Sequence, residues 1–197
     1  MNKIACLDLE GVLVPEIWIG VADRTGIKEL RATTRDISDY SELMRMRLSV
    51  CDQNGLTLQD ISEVISKMLP LQGAEEFLSW LRERFQVVIL SDTFYQFAYP
   101  LMKQLNFPAL FCHNLEVDDS GRITDFKLRM KDQKKQAVKA FHSLGFQVIA
   151  VGDSYNDTSM LSEADKGILY CPPQNVIDEF PQFLITKDYI ELRAAFS

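Results

Sequence analysis

The sequence predicts an α/β protein: a Rossmann-like three-layer core with a mainly parallel sheet, plus a small helical cap inserted after the first strand. Three observations carry this reading. Short apolar runs at Ile4–Leu7, Val87–Leu90 and Val148–Val151 have the character of strands buried on both faces. Helical patterns separate the later runs, and repeated strand–crossover–strand units imply parallel pairing with helices on both faces. Residues 15–71, by contrast, hold helical patterns and no convincing strand. That contrast divides the chain into a core of 1–14 and 72–197 and a cap of 15–71.

The elements follow in order. After the first strand, Glu16 to Gly26 reads as a short helix with Ile17, Ile19 and Val21 partly apolar and Gly26 able to close it. Ser41 to Cys51 is a second, with Leu43, Met44, Met46, Leu48 and Val50 interleaved with Arg45 and Arg47. Thr57 caps a third carrying Leu58, Ile61, Val64, Ile65 and Met68. The core resumes with a helix over 74–84, the strand at 87–90, a helix over 94–106 and a short strand at 110–112. Residues 114–129 read as a hairpin around Asp118-Asp119-Ser120-Gly121. A helix from the basic cluster at 131–135 to Leu144, strands at 148–151 and 168–170, and a helix over 188–196 complete the chain.

At 197 residues, with 47% hydrophobic and 25% charged content, the composition fits one ordinary globular domain with an insertion. A net charge of −7 argues against nucleic acid or an anionic membrane as the main partner. No apolar stretch is long enough to span a bilayer, and the N-terminus runs into a strand without a signal-peptide pattern. Cys6, Cys51, Cys112 and Cys171 form no CxxC pair and read as buried thiols, which suits a reducing cytoplasm. His113 and His142 lie far apart without ligand spacing, which argues against zinc.

The chemistry gathers at three strand ends. Asp8 closes the first strand, with Glu10 two residues on; Ser91-Asp92-Thr93 follows the second; Gly152-Asp153-Ser154-Tyr155-Asn156-Asp157 follows the third. In an open α/β sheet the carboxyl ends of strands face the ligand crevice, so all three meet on one side. Residues two apart on an extended segment share a face, which aims Asp8 and Glu10 into one site. Close carboxylates repel each other unless a cation or proton intervenes, and hard oxygen ligands suit magnesium. The amides after Ser91 open a helix, whose free N–H groups favour a phosphate. Lys134 supplies a further positive charge. These are the parts of phosphoryl transfer: a nucleophile, a metal, and donors around the equatorial oxygens. Each alone has a plainer reading: a solvated acidic turn, Ser91 as a helix N-cap, residues 131–135 as a solvated helix start, and the run from Gly152 as a turn.

Taken in order, Asp8-x-Glu10-Gly11-Val12, Leu90-Ser91-Asp92-Thr93, Lys134 and Gly152-Asp153-x-x-Asn156-Asp157 resemble the four motifs of the haloacid dehalogenase superfamily of phosphatases. Within it the chain is similar to phosphoserine phosphatases, and most to their phosphotransferase-like members that pass phosphate to homoserine. Met44-Arg-Met-Arg47-Leu-Ser, Pro70-Leu-Gln-Gly-Ala-Glu-Glu and Ser154-Tyr-Asn-Asp-Thr-Ser-Met add to the likeness. The resemblance implies that Asp8 is a nucleophile that becomes an aspartyl phosphate, and that Glu10 is the general acid/base. It implies that Ser91, with Asp92 and Thr93, and Lys134 hold the phosphate, while Asn156 completes the site. Mg2+ would be bound by Asp8, Asp153 and the backbone carbonyl at Glu10, with Asp157 behind them. Glu16 and Arg47 match residues that grip the amino and carboxylate ends of O-phospho-L-serine.

Two departures stand out. Glu10 replaces the usual aspartate, and Ser91-Asp92-Thr93 replaces the common Ser-Gly-Gly, placing a negative charge and side-chain bulk beside the phosphate loop. The phosphotransferase-like relatives share both. The resulting expectation is transfer of phosphate from phosphoserine to water and to homoserine. Another small phosphomonoester is the alternative substrate, and a non-catalytic phospho-aspartate signalling domain the alternative class. The sequence leaves oligomeric state open, a homodimer included.

Overall fold

The computed structural model describes residues 2–34, 36–37 and 39–197. Strand β1 (Lys3–Leu7) is followed by α1 (Ile17–Thr25), α2 (Tyr40–Gln53), α3 (Leu58–Ser66) and α4 (Ala74–Arg82). Next come β2 (Gln86–Phe94), α5 (Tyr95–Gln104), β3 (Ala109–Val117), β4 (Ile123–Lys127) and α6 (Gln133–Ser143). The chain ends with β5 (Gln147–Gly152), α7 (Thr158–Glu163), β6 (Lys166–Tyr170), α8 (Gln174–Glu179), β7 (Leu184–Thr186) and α9 (Tyr189–Ala195).

The strands form one sheet in the order β4-β3-β2-β1-β5-β6-β7, parallel except for the β3–β4 hairpin. β1 is central and pairs with β2 and β5, so the chain reverses its direction of travel across the sheet at β1. That reversal opens a crevice at the strands' carboxyl ends. Alternation along β1 divides the interior. Ala5 and Leu7 join a cluster with α1–α5 and α9, while Ile4 and Cys6 join one with α6, α7 and α8. Helices therefore cover both faces, as the apolar strands require.

Local signals explain the helix ends. Gly26 takes a left-handed conformation and closes α1, and Thr57 forms a reciprocal capping box with Asp60 at α3. Among the described residues of 15–71 the regular elements are α1, α2, α3 and a single 3-10 turn at Lys28–Arg31. Arg35 and Ser38 of that stretch lie outside the described residues. The insert has no separate interior: Met44, Leu48, Ile61 and Ile65 share one cluster with Leu7 and Ile89 of the sheet.

Three expectations need correction. Ser91-Asp92-Thr93 does not open a helix. These residues continue β2 through an irregularity between Leu90 and Phe94, and α5 starts at Tyr95 after Phe94, without a side-chain cap. The reason is Phe94, which re-pairs with His113 of β3 and is fully buried, holding the chain extended. Cys171 is exposed, because it follows the last residue of β6 where the backbone turns through a φ of 46°. The other three cysteines are buried. β1 ends at Leu7, so Glu10 reaches the crevice from a tight turn and not from an extended segment. The sequence pattern does not mark α7, α8 and β7, which at six, six and three residues are too short for periodicity to show.

Candidate active site

The site is built where β1, β2 and β5 end. The Asp8 amide donates to the Val151 carbonyl (2.9 Å), which carries the β1–β5 ladder one residue past β1 and holds the Asp8 backbone rigid. Beyond it the chain folds back at once, with Leu13 and Val14 amides both donating to the Leu9 carbonyl. Gly11 makes this possible in two ways. Its φ is +76°, and a Cβ there would lie 2.4 Å from Cγ of Asp153. Gly152 is required for a similar reason, since a Cβ would lie 2.3 Å from Asp157. Both glycines let acidic side chains pack against bare backbone.

Three carboxylates, Asp8, Asp153 and Asp157, bring oxygen atoms within 4.8 Å of one another. Lys134, buried at the start of α6, lies 2.9 Å from Asp8 Oδ1 and 2.7 Å from Asp157 Oδ1. Asp157 is fully buried, and its other oxygen accepts the Asp153 and Ser154 amides at 3.0 and 3.2 Å. It therefore anchors both the lysine and the loop. One ammonium does not balance this cluster. Burial, then Asp157, raises the Asp8 carboxyl well above the ordinary range despite Lys134. Burial and Asp157 push Asp153 up to about 7. Burial by itself would lower the Lys134 ammonium, yet Asp157, Asp8 and Asp92 outweigh this and raise it. Uncompensated negative charge on hard oxygen donors fits a divalent cation.

Every predicted site residue except Asp157 lines a single cavity of about 1190 Å³, and Asp157 lies behind its wall. Glu10 Oε2 accepts the Ile17 amide (2.8 Å) at the start of α1, and burial with Glu16 nearby pushes its carboxyl up to about 8. Glu16 is exposed at the cavity edge, immediately before α1. Arg47 is 8% exposed, which excludes a solvated helix position. It donates to the Ala32 carbonyl (2.7 Å) and stacks 5.0 Å over Trp18, while its buried Nε has no hydrogen-bond partner among the described residues.

Asp92 does not leave a bare charge beside the loop. Asn156 Nδ2 and Gln133 Nε2 each donate to it at 3.2 Å, and Lys134 Nζ and His113 Nε2 lie at 3.6 and 3.5 Å. Burial alone would raise its carboxyl, but Lys134 and these donors together hold it well below the usual range. Nδ1 of His113 accepts the Arg129 amide (3.1 Å), so the ring proton resides on Nε2, facing Asp92. Tyr40, His113 and Gln133 also line the cavity, although the sequence gives none of them a role in the site. Gln133 had one signal, its place beside Lys134; the other two come from elements far away in the chain.

The fold and this acidic strand-end site define a class. The model of the haloacid dehalogenase-like hydrolases matches residues 3–165, and the chain belongs to that family. Its hydrolases use a divalent metal, as the carboxylate cluster accommodates. The chain is 63% identical to the phosphoserine phosphatase ThrH of Pseudomonas aeruginosa, over 98% of this chain and 95% of that protein. It is 61% identical to a phosphoserine phosphatase of Pseudomonas syringae pv. tomato, over 98% and 82%. A solved phospho-aspartyl intermediate analogue of phosphoserine phosphatase superposes with a TM-score of 0.81 over 98% of both chains; at 22% identity this likeness bears on the fold.

Proposed function

We propose that this chain is a magnesium-dependent phosphoserine phosphatase that works through an aspartyl phosphate and also passes phosphate to homoserine. One observation carries the reading: the Asp8 carboxylate, held against Lys134 at 2.9 Å, shares a cavity with the buried guanidinium of Arg47, whose Nε has no partner among the described residues. A nucleophile for phosphorus and a grip for a carboxylate face the same space. The names borne by the two Pseudomonas relatives support the same substrate.

In this reading Arg47 binds the substrate carboxylate and Glu16 its ammonium, which sets the phosphate between Ser91 and Lys134. An Asp8 oxygen attacks phosphorus, the ester P–O bond breaks, and its electron pair leaves with the serine oxygen. Glu10, protonated up to about pH 8, gives that oxygen its proton. The resulting Glu10 carboxylate then takes a proton from water or from the homoserine hydroxyl as that oxygen attacks the aspartyl phosphate and releases Asp8. Asp8, Asp153 and the Glu10 carbonyl would hold Mg2+, with Asp157 behind them; when bound, the ion neutralises charge developing on the phosphoryl oxygens. Residues 15–71 act as a cap that supplies Glu16 and Arg47. The three buried thiols suit the reducing cytoplasm.

The test is mass spectrometry of a reaction containing the protein, phosphoserine, Mg2+ and millimolar homoserine. Serine should appear with both inorganic phosphate and O-phosphohomoserine. Serine and phosphate alone would reduce the reading to a plain phosphatase, and no serine at all would remove the substrate.

A further inference from the structure

The segment 91–93 has lost its ladder register, since β2 pairs with β3 at Leu90 and again only at Phe94. Something other than the sheet must fix its peptide planes. Two side chains do so from opposite directions in sequence. Gln133 Nε2 donates to the Ser91 carbonyl, and the Tyr40 hydroxyl donates to the Asp92 carbonyl. In a trans peptide a carbonyl and the N–H of the next residue point oppositely, so holding these two carbonyls also aims the Asp92 and Thr93 amides. One consequence is visible: the Thr93 amide donates to Ser91 Oγ at 3.3 Å. That bond occupies an acceptor position of the hydroxyl and leaves its own proton to be donated to an incoming oxyanion.

Both donors are themselves held. Gln133 is 2% exposed, accepts from Arg129 Nε (3.2 Å) and also donates to Asp92 Oδ1. The Tyr40 ring lies against His113 and Phe126 at 6.0 and 6.5 Å between centroids. Tyr40 is the first residue of α2, and Arg47 stands seven residues on, two turns along the same side of the helix. The helix that presents the guanidinium to the cavity therefore also bonds to the main chain beside Ser91.

The geometry assigns Tyr40 and Gln133 as positioning residues that hold the two peptide planes of 91–93, with Tyr40 tying that segment to the helix bearing Arg47. The assignment rests on the reading of 91–93 as the phosphate-binding segment. Tyr40→Phe removes the single donor to the Asp92 carbonyl, and Gln133→Met removes the donor to the Ser91 carbonyl together with the bonds to Asp92 and Arg129, both while keeping side-chain bulk. With Mg2+ present, calorimetry of inorganic phosphate binding should show a Kd raised about three- to tenfold in Tyr40→Phe, the loss of one hydrogen bond's worth of order, and by at least as much in Gln133→Met. The kcat for phosphoserine and for 4-nitrophenyl phosphate should fall by a common factor, because the phosphoryl group is what both substrates share. A folded variant whose phosphate Kd stays within about twofold of wild type overturns the assignment, whatever its Tm. Should one variant not fold, the other carries the same test. A wild-type chain that binds no phosphate defeats the phosphate-segment reading instead, so the two failures are distinguishable.

Discussion

The two walls of the cavity are built on opposite plans. On the strand-end wall nearly every polar group is paired: Lys134 bridges Asp8 and Asp157, and Asp92 is met by Asn156, Gln133, His113 and Lys134. On the helical wall Arg47 keeps a buried Nε without a partner among the described residues, and Glu16 stands exposed at the rim. A buried, unpaired donor costs free energy that a ligand can recover, whereas a paired cluster is preorganised before any ligand arrives. In the proposed function the first wall serves chemistry common to all phosphoesters, and the second grips one end of the substrate.

The sharpest way to break this contrast is at the nucleophile. Asp8→Asn keeps size and most packing but removes the charge that attacks phosphorus in the proposed mechanism, so turnover of every phosphoester should drop below detection in a folded protein. Steady-state assays on phosphoserine and on 4-nitrophenyl phosphate check this, and normal turnover of either by the variant would falsify the mechanism.

Arg47→Ala should act on one substrate only. Loss of a charge-assisted contact is worth roughly 1.5–3 kcal/mol, or about ten- to a hundredfold in kcat/KM for phosphoserine. An aryl phosphate has no carboxylate to grip and should change by less than about threefold. Equal losses on both substrates would make Arg47 a structural residue of α2 and erase the distinction between the walls.

The smallest effect concerns the charge on the strand-end wall. Asp8 and Asp153 are raised in the metal-free fold, Asp153 to about 7. Below about pH 4 these groups are protonated in folded and unfolded chains alike. As pH rises toward 7 the unfolded chain ionises first, so the folded chain holds the extra protons and stability falls. A divalent cation favours the ionised carboxylates and should restore what is lost. Mg2+ should therefore raise Tm by several degrees at pH 8 and by much less at pH 5. Thermal melts at both pH values, with and without chelator, measure this; an equal shift at both would mean the carboxylates are already charged without metal.

What the sequence by itself determined was everything that local pattern encodes. The apolar strands, the helices of 15–71 with their caps at Gly26 and Thr57, and the acidic strand ends were all legible, because a strand end states its own direction and chemistry. Asp8, Ser91 and Asp153 could be assigned to one crevice on that basis, and Lys134 joined them through the motif resemblance. Only the tertiary structure decided how the charges are settled. Phe94 re-pairing with His113 kept 91–93 extended where the amides alone suggested a helix start. Asp92 looked like an intruding negative charge until α6, β3 and the loop after β5 supplied its donors. Tyr40 reached the same segment from 52 residues away. Hydrogen bonds between distant elements leave no periodicity in the chain, so their partners are specified only when the sheet order brings those elements together.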